Sequence, residues 1–458
     1  MSADRPHPPS VEAVLSVVRE AVAEREPGAL VLVAREVVAL ERVRLAAGEG
    51  ARAIEELAGD VAQRLDGFEG IEGAGPVAVI NATGVIVHTN LGRAPWPAAA
   101  IAAASAVTGG YLLLELDRGS GRRGARFRVP EAHLIALTGA DDALVTNNNA
   151  AAVALAVGLA GRGGGVVVSR GELVEIGGGV RIPDIVRRAG ARLLEVGTTN
   201  RTRVADFEGP LVEGRARVVL RVHPSNFTMA GFIESPESGE LAALAHRHGA
   251  IVIDDLGSGA LLPTETFGLH HEPMPAERLQ AGADVVTFSG DKLVGGPQAG
   301  LIVGRADLVA KIRRDPLARA MRPDKATLAA VAATLGLYRA GRAVESIPVW
   351  RMMAAPAEGI RARAESLAVV LSGPPRAEVV AVESTVGGGS LPGQTLASFG
   401  VALTGRSAAR TLAAMRHGDP AVIGRIADGR VVLDLRTVDP GDDGRLASAL
   451  ARALASRA

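Results

Sequence analysis

The chain has 458 residues, 48% of them hydrophobic and only 3% aromatic, and its 50 Lys plus Arg balance 50 Asp plus Glu. That length accommodates roughly two or three domains with an aliphatic core, and a net charge of zero provides no global attraction to nucleic acid or an anionic membrane. There is no cysteine, which excludes disulfides, thiolate metal sites and a cysteine nucleophile.

The opening MSADRPHPPSVEAV has no apolar segment of the secretory kind, and no uncharged apolar run reaches bilayer length. A cytoplasmic protein with no membrane contact is the expectation. Residues 1–75 read as a separate helical domain. Ser10 suits a helix cap, followed by Val11, Val14, Leu15, Val18 and Val22 on one side and Glu12 in the first turn. This segment holds eight basic and fourteen acidic residues, and FEGIEGAGP reads as its linker to the next domain.

Residues 76–325 read as a large α/β domain. Aliphatic runs alternate with helical ones: DALVTNNN before AAVALAVGLAG, GGVVVSRG before PDIVRRAG, ARVVLRVHPSN before SGELAALAHRHG, then AIVIDDLGSG, ADVVTFSGDK and AGLIVGR. Buried strands alternating with helices predict a mostly parallel central sheet with helices on both faces. Five runs end in polar or glycine-rich clusters: NNN, SRGE, HPSN, DDLGSG and SGDK. Ligands of open α/β sheets sit outside the carboxyl ends of the strands, so five such clusters describe one large site. Residues 326–458 read as a smaller α+β domain. It opens with helical patterns, continues in a hairpin AVIGRIADGRVVLDLRTV turning at Asp428-Gly429, and closes with the helix GRLASALARAL.

The stretch FSGDKLVGGPQAG carries Lys292, one of only three lysines in a chain with 47 arginines. A guanidinium cannot be deprotonated, whereas a lysine amine can lose its proton and attack a carbonyl. Flanked by Ser289, Gly290, Gly295 and Gly296, Lys292 suits a Schiff base with a cofactor. Of Asp254 and Asp255, which alternate across a strand, at most one faces that cofactor. Asp255 is the choice, because Gly257 leaves room for a ring, and its carboxylate suits the pyridinium nitrogen of pyridoxal phosphate. Asn147–Asn149, where a strand passes into a helix with Ala150 and Ala151, suit an anion pocket or, equally, a plain helix cap. Ser289 adds a hydroxyl, and Asn226 suits a hydrogen bond to the ring oxygen. Two arginine clusters stand out, at 117–128 and 311–325. Arg319 and Arg322 fall on one face if helical and suit an oxyanion. GSGRRG at 119–124 matches a dinucleotide fingerprint but lacks the acidic residue that should follow, no phosphate-binding P-loop is present, and His270-His271 have no metal-site spacing.

Taken together, NATGVIVHTNLGRAP (81–95), NNNAAAV (147–153), SRGELVEIGGGVRIPDI (169–185), EVGTTNRT (195–202), DLGSG (255–259), FSGDKLVGGPQAG (288–300) and IGRIADGRVVLDLRTV (423–438) closely resemble the bacterial selenocysteine synthase family, the L-seryl-tRNA(Sec) selenium transferases. The resemblance covers nearly the whole chain and includes PSVEAVL (9–15), similar to the family's N-terminal tRNA-binding domain. It implies a fold-type I pyridoxal-phosphate enzyme that assembles as a ring-shaped homodecamer. Lys292 matches the Schiff-base lysine, Asp255 the pyridinium partner and Asp291 an active-site acid. Asn148, Asn149, Ala150, Asn226 and Ser289 complete the cofactor set. Arg93, Arg319 and Arg322 match positions implied to hold selenophosphate. The implied reaction converts seryl-tRNA(Sec) to selenocysteinyl-tRNA(Sec) by β-elimination through a dehydroalanyl intermediate and addition of selenium. The alternatives are a pyridoxal-phosphate lyase acting on a free amino acid, which has no need of the N-terminal domain, and a non-catalytic RNA-binding scaffold, which has no need of Lys292.

Overall fold

Short runs of β-branched residues, buried on both faces, build the centre of the molecule. The computed structural model describes residues 7–22, 24–69, 76–124, 127–176, 179–371, 376–404 and 407–455. Most of the expected linker FEGIEGAGP lies outside them. Seven strands form the central sheet: β1 (Asp142–Thr146), β2 (Gly165–Ser169), β3 (Arg192–Val196), β4 (Ala216–Val222), β5 (Ile251–Gly257), β6 (Val285–Ser289) and β7 (Gly300–Gly304). Their order is β1-β7-β6-β5-β4-β2-β3. From β6 to β3 all neighbours are parallel, and only β7 runs against both of its neighbours.

Alternate residues of a strand feed opposite cores. Val166, Val168, Val218 and Leu220 pack with helix residues such as Ala152 and Val186, while Val167 and Val219 pack with Leu241 and Ala245. Both faces are therefore covered, as a parallel sheet requires. The six runs read as strands from the sequence all enter this sheet. The seventh, β3, escaped that reading: it lies at the sheet edge, and two of its five residues are exposed, so it lacks the continuous apolar character of its neighbours.

The chain divides into two units, Met1–Val79 and Ile80–Ala458. Among the described residues the first contains three helices, α1 (Val11–Ala21), α2 (Pro27–Ala46) and α3 (Ile54–Glu69). Ser10 Oγ accepts the Ala13 N–H at 3.1 Å, and Val14, Leu15, Val18, Val33, Val37, Leu57 and Val61 form the core. Glu41 is buried in this unit against Arg52 and Arg44. Burial pushes its carboxyl up, and hydrogen bonds and charge from Arg52, with help from Arg44, more than offset this and hold it below the ordinary carboxylate range.

In the second unit, helix Lys325–Arg339 packs against helices Ala98–Thr108 and Val129–Thr138. The boundary expected near 325 therefore runs through a continuous packing. Beyond it lies a four-stranded antiparallel sheet, β8 (Arg376–Gly387), β9 (Ser390–Thr404), β10 (Arg425–Ala427) and β11 (Arg430–Asp434), ordered β8-β9-β11-β10. The expected turn at Asp428-Gly429 joins β10 to β11, with φ of 49° and 72°. The long β8–β9 hairpin was not legible as strands. Its tip, Gly387-Gly388-Gly389, has φ of 75°, 58° and 78°, a left-handed run that glycine adopts without penalty. No helix among the described residues is long and apolar enough to cross a membrane.

At β7 the backbone approaches the start of the helix that follows β1. A Cβ on Gly300 would lie 2.1 Å from the Asn148 carbonyl oxygen and 2.3 Å from Thr146 Oγ1. Gly300→Ala is expected to lower stability by about 1–3 kcal/mol through overpacking, read as a lower urea midpoint with unchanged slope; an unchanged midpoint would mean that this segment yields freely.

Candidate active site at the carboxyl ends of the parallel strands

The chain leaves β6 at Ser289 and turns at once. Gly290 N–H binds the Ala299 carbonyl at 2.9 Å, and Gly296 N–H binds that of Gly290 at 2.9 Å. Gly295 sits at φ 72°, where a Cβ would lie 2.3 Å from Ile347 Cγ2. The glycines after Lys292 are thus required by close packing, and the turn delivers the lysine side chain into an open cavity of about 760 Å³. Asn149, Asn226, Asp255, Ser289, Asp291 and Arg93 line the same cavity, as do Asn148 and Ala150.

Asp255 is buried near the end of β5. Its Oδ1 accepts hydrogen bonds from Asn149 Nδ2 at 2.8 Å and Thr287 Oγ1 at 2.9 Å. Burial pushes its carboxyl above the ordinary range, although these bonds and the Lys292 charge act the other way. Asp254 belongs to the opposite side of the strand, where it lines a different cavity and lies 3.6 Å from Arg278 Nε. The Lys292 ammonium is pushed below the ordinary lysine range, first by burial and then by the Arg93 guanidinium, against the opposing charges of Asp255, Asp291 and Glu272. Both effects favour a neutral, nucleophilic amine.

Arg93 holds a left-handed backbone, φ 66°, and its Nη1 lies 3.1 and 3.0 Å from the two carboxylate oxygens of Asp291. The expected anion-binding arginine and the expected acid are therefore paired with each other beside Lys292. Asn148 caps helix α4 (Asn149–Val157), its Oδ1 accepting the Ala151 N–H at 2.9 Å. Its side chain is occupied as a cap, and the first-turn N–H groups of Asn149 and Ala150 are the ones without intrahelical partners. Ser289 is buried at the cavity wall, and Asn226 is exposed at its rim.

Arg319 and Arg322 do not line this cavity. They line another, of about 470 Å³, together with Arg128, Arg313 and Arg314. Nor do they share one helical face. The helix Pro316–Ala320 ends before Arg322, which precedes Pro323 and is thereby steered out of helical geometry. Arg322 is ion-paired with Glu115.

Several lining residues were not singled out from the sequence. His223 follows β4, and Gly388 and Gly389 reach the cavity from the β8–β9 tip, while Thr287, within β6, does not line it but bonds Asp255. The triple glycine was the one visible signal for Gly388 and Gly389. A Cβ on Gly389 would lie 2.4 Å from Asn226 Oδ1 and 3.1 Å from Lys292 Nζ, and one on Gly257 would lie 3.7 Å from Nζ. Asn149 Oδ1 is buried with no hydrogen-bond partner among the described residues. An amine kept neutral, a buried carboxylate, an orphaned acceptor and side-chain-free walls suit a flat pyridoxal group bearing an anion near the start of α4.

The sheet order, with a lysine just after β6 and an aspartate on β5, makes this a fold-type I enzyme of the pyridoxal-phosphate-dependent class. The solved structure of D-glucosaminate-6-phosphate ammonia-lyase has the same fold, with a TM-score of 0.60 at 21% identity over 84% of this chain and 97% of that one. The chain belongs to the L-seryl-tRNA selenium transferase (SelA) family, whose model matches residues 79–439. The L-seryl-tRNA(Sec) selenium transferase of Hyphomonas neptunium is 46% identical over 392 residues, covering 84% of each chain. That of Rhizobium meliloti is 43% identical over 437 residues, 93% of each.

Arg93→Gln removes a positive charge and frees the negative charge of Asp291, and both changes favour protonated Lys292. Acylation of Lys292 in the cofactor-free protein, followed by peptide mass spectrometry against pH, is expected to shift to more alkaline pH in this variant. A shift to lower pH would contradict the assignment.

Proposed function

We propose that this chain converts L-seryl-tRNA(Sec) to L-selenocysteinyl-tRNA(Sec), with pyridoxal phosphate held on Lys292 and selenophosphate as the selenium donor. The observation that carries the reading is Lys292, disposed to be neutral in an open cavity beside buried Asp255, in a chain of the transferase family. Pyridoxal phosphate, when bound, supplies an electron sink for the substrate's α-carbon. Asp255, held by Asn149 and Thr287, keeps the pyridine nitrogen protonated. The N–H groups of Asn149 and Ala150 at the start of α4, with Ser289, receive the phosphate, and Asn226 meets the ring oxygen. The Lys292 amine takes the α-proton, and the serine hydroxyl then leaves. Asp291, tied to Arg93, keeps that arginine beside the reacting carbon.

Arg93, Arg319 and Arg322 are the residues we assign to selenophosphate. The reading is supported for the latter two by the arginine-rich cavity they line, although that cavity is distinct from the one around Lys292. The three-helix unit is assigned to tRNA. Assembly into a ring of ten copies in the cytoplasm accords with the apolar surface that one chain leaves open: Ile101, Tyr111, Leu113 and Leu116 are all exposed.

Purified protein is expected to absorb in the visible range and, after borohydride, to carry a reduced pyridoxyl group on the Lys292 peptide. Lys292→Ala should lose the label and slow selenium transfer to seryl-tRNA(Sec) by at least about 10²–10⁴-fold. Asp255→Asn should retain the label and lose most activity. Turnover of free serine with none of seryl-tRNA(Sec) would favour the free amino acid lyase.

A further inference from the structure

Glu272 is 2% exposed, and its Oε1 makes no hydrogen bond among the described residues. The basic atom facing that oxygen is His223 Nε2, at 3.4 Å, just outside hydrogen-bond length. A carboxylate withdrawn from water requires a compensating charge or a proton. The loop that carries it is pinned. Buried Thr264 donates Oγ1 to the His270 carbonyl at 2.6 Å and accepts the Glu272 N–H at 3.0 Å. His223 follows β4 directly, with its N–H on the Asp255 carbonyl at 2.9 Å. It lines the cavity of Lys292 and also a second, polar cavity of about 210 Å³ that shares this wall.

The other charged groups around His223 are already matched. On the Lys292 side, Arg93 pairs with Asp291 at 3.0 Å, Arg181 with Glu175 at 2.8 Å, and Asp255 is bonded by Asn149 and Thr287. On the other side, Arg221 pairs with Glu172 at 2.8 Å, Arg278 with Asp254 at 3.6 Å and Arg203 with Glu234 at 3.1 Å. That leaves Glu272 for the imidazole, and its charge is also felt at Lys292.

The geometry points to a carboxylate–imidazole pair in which Glu272 orients His223 at the cavity wall, and His223 delivers the proton that the serine hydroxyl takes as it leaves. This rests on the β-elimination proposed above. Lys292 Nζ takes the α-proton, the Cα–H electron pair becomes the second Cα–Cβ bond, and the Cβ–O bond breaks. The oxygen accepts the His223 proton and departs as water. Proton return from the Lys292 ammonium or solvent resets the imidazole, so no further reactant is needed. Glu272 acts through His223 and is a positioning residue.

Seryl-tRNA(Sec) without selenium donor, in D₂O, separates two events: α-hydrogen exchange in recovered serine, and hydroxyl loss. His223→Gln is expected to slow hydroxyl loss by about 10²–10⁴-fold, while exchange and visible absorbance persist. Glu272→Gln removes the carboxylate that orients the ring and is expected to slow hydroxyl loss while exchange persists. Glu272→Asp, which keeps the carboxylate, is expected to restore part of the lost rate. Equal slowing of both events in His223→Gln, or an unchanged rate of hydroxyl loss in Glu272→Gln, would overturn the proposal. Wild-type enzyme that supports neither event would overturn the underlying elimination reading and this proposal with it.

Discussion

The cost of taking one amine out of water organises the site. Lys292 lies where burial and Arg93 both disfavour its ammonium form, and that arrangement is stable only if the surroundings are fixed. The fixing comes from backbone. The Gly290–Gly296 turn closes on itself, Leu293 N–H binds the Ser258 carbonyl at 3.0 Å, and Ala94 N–H binds the Asp291 carbonyl at 3.2 Å. The strand ends supply the carboxylates and the turn supplies the amine. Neither side chain contributes through its own conformational freedom.

The same constraint explains why the C-terminal sheet belongs to the site. Gly388 and Gly389 stand at the tip of the β8–β9 hairpin and form part of the cavity wall. Any side chain at Gly389 would run into Asn226 and Lys292. The hairpin is held behind its tip by Ile86 and Val87 N–H groups on the Thr385 and Val386 carbonyls, at 3.0 and 2.8 Å. A segment more than ninety residues beyond Lys292 in sequence therefore decides how much room lies above its amine.

What was legible in the sequence follows from this physics. Strands buried on both faces advertise themselves as apolar runs, and six of seven were visible. Lys292, Asp255, Asn149 and Ser289 share one cavity because strand-end clusters of a parallel sheet converge. Edge strand β3 and the β8–β9 hairpin were hidden because they mix exposed and half-buried residues and so lack the continuous apolar run that marked the other strands. Arg319 and Arg322 were expected on one face; Pro323 ends the helix between them. Asn148 exercised the capping option that was open from the start. Glu272 left no signal at all, since its neighbours in sequence, the two histidines, drew attention to metal binding that their spacing does not support.

The distribution of cations bears on why a lysine stands at 292. Arginine carries the ion pairs, at Arg93, Arg221, Arg313 and Arg363 among others, where a planar fork matches a carboxylate. Lys311 is exposed near the end of helix Ala306–Arg314, and Lys325 donates to the Gly110 carbonyl at 2.8 Å at the start of its own helix. Neither lines the cavity of Asp255. A guanidinium at 292 would keep its charge at any pH the protein experiences, in a place where burial and Arg93 both oppose charge. The site tolerates a cation there only if that cation can give up its proton, and among the basic side chains long enough to span this turn lysine alone can.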